Sequence, residues 1–110
     1  MFHAQLPAVD APDVPTDGFL LDVREDDEWA AGHAEGAVHI PMGELVARIA
    51  ELPQDQRLHV VCRVGGRSAQ VAQYLIAQGM DAVNVDGGMI RWASAGRPMV
   101  SDAGDGPYVL

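Results

Sequence analysis

Four short strand-like runs, FLLDV (19–23), GAVHIP (36–41), LHVVC (58–62) and AVNV (82–85), are separated by stretches of helical character. No other feature limits the fold of the chain so strongly. Runs of this length, bounded by Gly, Pro and charged residues, read as buried strands. REDDEWAAG (24–32) is acidic at its start and closes on Gly32, as a short helix would. GELVARIAELP (43–53) places Leu45, Val46, Ile49 and Leu52 on one helical stripe, and stops at Pro53. SAQVAQYLIAQG (68–79) puts Ser68, Val71, Ala72, Leu75 and Ile76 on one face, with Gly79 as the C′ cap. GGMIRWASAG (87–96) reads as a short last helix. Strands that alternate with helices predict an α/β fold, a parallel sheet with helices on its faces. Ligands of such folds bind beyond the carboxyl ends of the strands. Asp22, Cys62 and Asp86 lie at those ends, so function is expected there.

A length of 110 residues predicts one domain. Its core is expected over 19–98, with an extended edge and loop in 1–18 and a frayed tail in 99–110. With so short an N-terminal region, no second domain or fused partner is expected. No apolar run approaches the length of a membrane span. The first residues lack a basic segment followed by an apolar one, so a cytoplasmic location is expected. The net charge is 7 − 16 = −9, which argues against nucleic acid and anionic membranes as partners. Twelve acids and two arginines fall in residues 1–55; four acids and five arginines fall in 56–110. There is no lysine, so every side-chain cation is a guanidinium unless a histidine is protonated. Guanidinium groups suit planar recognition of oxyanions.

The single cysteine, Cys62, cannot form an internal disulfide, and a reducing compartment keeps it a thiol. It could be core filler, a metal ligand or a nucleophile. The four histidines, His3, His33, His39 and His59, show no ligand spacing with it, so no metal site is expected. The residues immediately after the cysteine favour the nucleophile. In CRVGGRS (62–68) the glycines allow several N–H groups to point inward, and a helix begins a few residues on. Those donors would hold a negative charge at sulfur, with Arg63 and Arg67 adding to it if they turn inward. A cysteine phosphatase needs five residues between its Cys and its Arg. Here Arg67 comes one position too early, and the tighter ring suits a single extra sulfur atom.

Taken in order, LLDVRE (20–25), EWAAGH (28–33), GAVHIP (36–41), CRVGGRS (62–68) and GGMIRWASAGRP (87–98) resemble the rhodanese family. The resemblance spans about 19–98 and implies a five-stranded parallel sheet flanked by helices. It implies a sulfurtransferase. Sulfane sulfur would pass from a donor such as thiosulfate to a thiophilic acceptor, whether cyanide, a thiol or a protein, without a cofactor. Carried over by position, Cys62 is the persulfide carrier, and Arg63, Val64, Gly65, Gly66, Arg67 and Ser68 form the anion cradle. Arg67 would help to hold thiosulfate or the persulfide. Asp22 and Arg24 read as a supporting ion pair near the loop. His33 reads as a turn residue whose ring bonds the backbone. Trp29 and Trp92 read as packing, Gly87 and Gly88 as a tight turn, and Arg91 and Arg97 as solvated. His39 departs from the family, which often has an amide there. A delivery module that docks a basic protein partner on the acidic half is the alternative. The loop length disfavours a phosphatase or arsenate reductase.

Overall fold

The structure is a computed structural model and describes residues 6–110. His3 and the rest of the first five residues lie outside it. Five strands, β1 (Ala8–Asp10), β2 (Phe19–Asp22), β4 (Val38–His39), β5 (Leu58–Val61) and β6 (Ala82–Asp86), form one sheet in the order β1-β6-β5-β2-β4. Every pairing in it is parallel. The central strands β5, β2 and β6 are the apolar runs of the sequence, because a parallel sheet covered on both faces leaves no strand position for water.

Successive residues of one strand face opposite layers. Leu21 and Val60 join one core cluster with Leu45, Leu52, Val71 and Leu75, on the face covered by α2 (Leu45–Arg48) and α3 (Gly66–Ala77). Leu20 and Val61 join the other, with Ala11, Met89 and Trp92, on the face covered by α4 (Gly88–Ser94). The remaining helix, α1 (Asp26–Ala31), comes after β2. It is closed at its start by a capping box between Glu25 and Glu28.

The parallel sheet and flanking helices agree with the expectation from sequence. The leading segment, read as an extended edge and loop, contributes β1, an edge strand on β6. Three details differ. The helix expected over 43–53 is split into a 3₁₀ turn (Met42–Glu44), α2 and another 3₁₀ turn (Ile49–Glu51). The change of period turns Val46 outward, 66% exposed, although it shares the sequence stripe with buried Leu45 and Leu52. On α3, Ile76 is exposed, although it shares the sequence stripe with buried Val71, Ala72 and Leu75. The tail is not frayed. β7 (Met99–Val100) pairs antiparallel with β3 (His33–Ala34), and the N–H groups of Asp102 and Tyr108 donate to the carbonyls of Ala30 and Ala31.

Arg97 is not simply solvated either. Its Nη1 donates to the carbonyl of Ala11 at 2.8 Å, and its guanidinium lies 4.1 Å from the centre of the Trp92 ring. A cavity of about 440 Å³, bordered by Val14, Gly18, Glu35, Trp92 and Arg97, opens beside the start of β2. That is the opposite end of the sheet from Cys62.

Candidate active site

Cys62 is the residue after β5, at the carboxyl end of a central strand, and is 1% exposed. Four residues later α3 begins. The peptide planes between them are set from outside the loop. The first amides of α4 hold the loop carbonyls: Met89 N–H donates to Cys62 O at 2.8 Å and Ile90 N–H to Arg63 O at 3.1 Å. With those carbonyls turned away, the loop N–H groups face the sulfur. Gly65, at φ +123°, sends its N–H to Sγ at 3.1 Å. The Ser68 hydroxyl lies 3.3 Å from Sγ.

The approach of α4 requires Gly88. It sits at φ +56°, and a Cβ there would come within 2.6 Å of the Cys62 carbonyl and strike the Arg63 carbonyl as well. Neither is a flexible side chain that could move aside. Gly88→Ala is therefore expected to cost about 1–3 kcal/mol of stability. It should also slow thiol alkylation at neutral pH, because the loop must shift. Urea unfolding and a timed alkylation check both; native values for both would show the contact to be soft.

Burial pushes the Cys62 thiol pKa up. The Ser68 hydroxyl and the N–H groups of Ser68, Gly65 and Val64 outweigh it, and the thiol lies below its ordinary value. Neither loop arginine gives its hydrogen bonds to the sulfur, and Arg67 is felt there only through its charge. Arg67 forms a two-pronged pair with Glu28, at 2.7 and 2.9 Å. Arg63 donates from Nε to the main-chain oxygen of Leu110 at 3.0 Å. Arg67 holds the Glu28 carboxyl down at about 2, against an ordinary 4.5. A depressed carboxylate contributes its stability above the ordinary value and loses it as pH falls toward the depressed one. The Glu28–Arg67 clamp is thus fully made above about 4.5 and is lost only as the pH approaches 2.

Asp22 and Arg24 form a fully buried pair, with Asp22 in register with Val61 at the end of β5. Arg24 Nη2 meets Asp22 Oδ2 at 2.7 Å and also donates to Gly32 O at 2.8 Å. His33 donates from Nδ1 to the Trp29 carbonyl at 2.7 Å, and its ring stacks on Trp29 at 3.5 Å. On the same indole His39 stacks at 4.7 Å, while its Nε2 donates to the Arg24 carbonyl. So His39, which has no assignable role in the sequence, helps to seat α1 and with it Glu28.

Two functional neighbours escape sequence reasoning. Glu28 belongs there only to a motif, and Asn84 only to a strand. Yet Asn84 Oδ1 lies 2.6 Å from the Ser68 hydroxyl, and its Nδ2 donates to Gly65 O at 3.2 Å. The separations of 39 and 16 residues give no periodic signal.

Residues 7–95 match the family model of the rhodanese-like domain. The chain belongs to that family. Among its relatives, YtwF of Bacillus subtilis is 44% identical over 80 residues, 73% of this chain and 78% of that protein. A protein of Allochromatium vinosum is 39% identical over 89 residues, 80% of this chain and 83% of its own length. Both carry a sulfurtransferase name. A crystal structure of a rhodanese-related protein from Thermoplasma volcanium superposes with a TM-score of 0.81 at 32% identity. That match covers 86% of this chain and 97% of that one. Among the described residues of this rhodanese-like chain, no helix is long and apolar enough to cross a membrane.

Proposed function

We propose that this rhodanese-like protein is a sulfurtransferase that carries sulfane sulfur as a Cys62 persulfide. One observation supports it above the others. The only cysteine follows a central strand, with the N–H groups of Val64, Gly65 and Ser68 directed at its sulfur and the Ser68 hydroxyl 3.3 Å from it. Such a ring holds an anion before and after transfer, and a thiol already biased toward ionisation needs no general base.

In the first step the Cys62 thiolate attacks the outer sulfur of thiosulfate. The new S–S bond forms as the S–SO₃ bond breaks, and sulfite leaves with the bonding pair. One thiolate and one dianion become one persulfide anion and one sulfite dianion. In the second step cyanide, or the thiolate of a small molecule or a protein, attacks the terminal sulfur. The S–S bond breaks and its pair returns to Cys62. No cofactor takes part in either step. Arg67, adjoining the ring but clasped by Glu28, would meet the sulfonate oxygens of the donor only by sharing its guanidinium with that carboxylate.

Incubation with thiosulfate should add one sulfur atom to the intact mass, and cyanide should remove it as thiocyanate. No mass gain with any sulfane donor, at a pH where the thiol alkylates readily, would overturn the proposal.

A further inference from the structure

The Ser68 hydroxyl has one proton and two neighbours that could take it. Asn84 Oδ1 is at 2.6 Å and Cys62 Sγ at 3.3 Å. The orientation of Asn84 is fixed by its other end. Its Nδ2 faces Gly65 O at 3.2 Å and Asp86 Oδ1 at 3.5 Å, and both are acceptors. So Oδ1 must face Ser68, and a contact of 2.6 Å between two oxygens there uses the serine proton. The sulfur contact then requires the S–H of the cysteine to donate to Oγ. The arrangement is a chain, S–H to O–H to the amide carbonyl, and it describes the uncharged thiol.

Once the sulfur is an anion it has no proton to give, and two acceptors compete for one hydroxyl hydrogen. The anion is the stronger acceptor. Ser68 is 0% exposed and Asn84 6%, so the abandoned amide carbonyl stays out of water's easy reach. We propose that Asn84 is a positioning residue for the sulfur chemistry: it holds the Ser68 proton while Cys62 is uncharged and releases it when the sulfur carries charge. Its deepest consequence rests on the sulfur-transfer reading. As charge moves from Sγ to the outer sulfur of the persulfide, the hydroxyl swings back to Asn84, and the two states of the carrier differ by one hydroxyl rotation. Asn84 thereby opposes ionisation, against the amide ring that favours it. The other charged groups around this network are Arg67, whose charge is felt at the sulfur, with its partner Glu28, Asp86 beside Asn84, Arg63 in the loop, and the buried Asp22–Arg24 pair at the end of β2. None of them supplies or takes the Ser68 proton.

The test is the pH dependence of Cys62 alkylation by iodoacetamide, monitored by intact mass in four proteins: wild type, Asn84→Ala, Ser68→Ala and the double variant. Without Asn84 the hydroxyl is free for the sulfur, so Asn84→Ala should lower the alkylation midpoint by about one unit when Ser68 is present. In the Ser68→Ala background that fall should vanish. A rise is what loss of the Gly65 brace alone would give, and equal shifts in both backgrounds would mean that Asn84 does not act through Ser68; either overturns the proposal. Asn84→Asp covers a failure of the alanine variant to fold. A carboxylate grips the serine proton harder, so it should raise the midpoint more with Ser68 than without it, and an equal rise would again overturn the assignment. Alkylation needs no sulfur donor. A Ser68-dependent shift in a protein that takes up no sulfane sulfur would therefore retire the sulfur-transfer reading alone.

Discussion

In the Cys62→Ser variant, turnover of thiosulfate and cyanide should fall to the uncatalysed background, and no sulfur should be retained after incubation. The substitution changes one atom. Serine fits the same space and can accept the same N–H groups, so unfolding should shift by no more than about 1 kcal/mol. The chemistry, however, needs a nucleophile that is ionised near neutral pH and can form a labile bond to sulfur. A thiolate in this ring meets both conditions, and an alcohol meets neither. The chain has no second cysteine that could take over. The companion measurement is the pH profile of the wild-type thiol. Its alkylation midpoint should fall below the ordinary 9.0, since the hydroxyl and amide donors outweigh burial. Residual turnover above background in the serine variant, with native unfolding, would move the reaction away from Cys62. A midpoint at or above the ordinary value would remove the physical ground for nucleophilic activity.

Much of this site is legible in the sequence, and for a specific reason. The parts that lie within one turn of chain announce themselves. CRVGGRS combines a strand end, two glycines and a helix start in seven residues, and those local properties place amides around a sulfur. Asp22 and Arg24 are two residues apart, so their pairing is visible in the string. The features that sequence does not reveal are set by tertiary approach. Glu28 reaches Arg67 across 39 positions, and this diverts a guanidinium that local reading would aim at the sulfur. Asn84 reaches Ser68 from the neighbouring strand β6. The tail reads as frayed because its glycines and polar residues lack periodicity. It is held instead by backbone bonds to α1 and β3, which composition does not encode. The stripe on 43–53 misleads for another reason. An apolar pattern of helical period reads as one helix, whereas the segment changes pitch twice.

The largest stability effect is expected at the pair that sequence does reveal. Asp22 and Arg24 are both 0% exposed, and their bonds are nearly all to each other. Arg24→Met keeps the length and apolar volume of the side chain but removes the only cation that, among the described residues, meets the Asp22 carboxylate in a salt bridge. An uncompensated buried charge typically costs about 3–5 kcal/mol. For a domain of this size that corresponds to a fall in Tm of roughly 12–20 °C. The Gly32 carbonyl also loses its donor, which should loosen the C-terminal end of α1, one turn beyond Glu28. Removing both charges should be far milder. In Asp22→Leu with Arg24→Met there is no buried ion to leave unpaired, and well-packed apolar replacements of such pairs are often neutral. The comparison separates two explanations of a damaged variant. If burial of a lone charge is the cause, the double variant regains most of the lost stability in urea. If the hydrogen bond to Gly32 is what matters, it regains none, because both variants lack the guanidinium. The second outcome would mean that the pair fixes the geometry of the loop rather than the energy of the core.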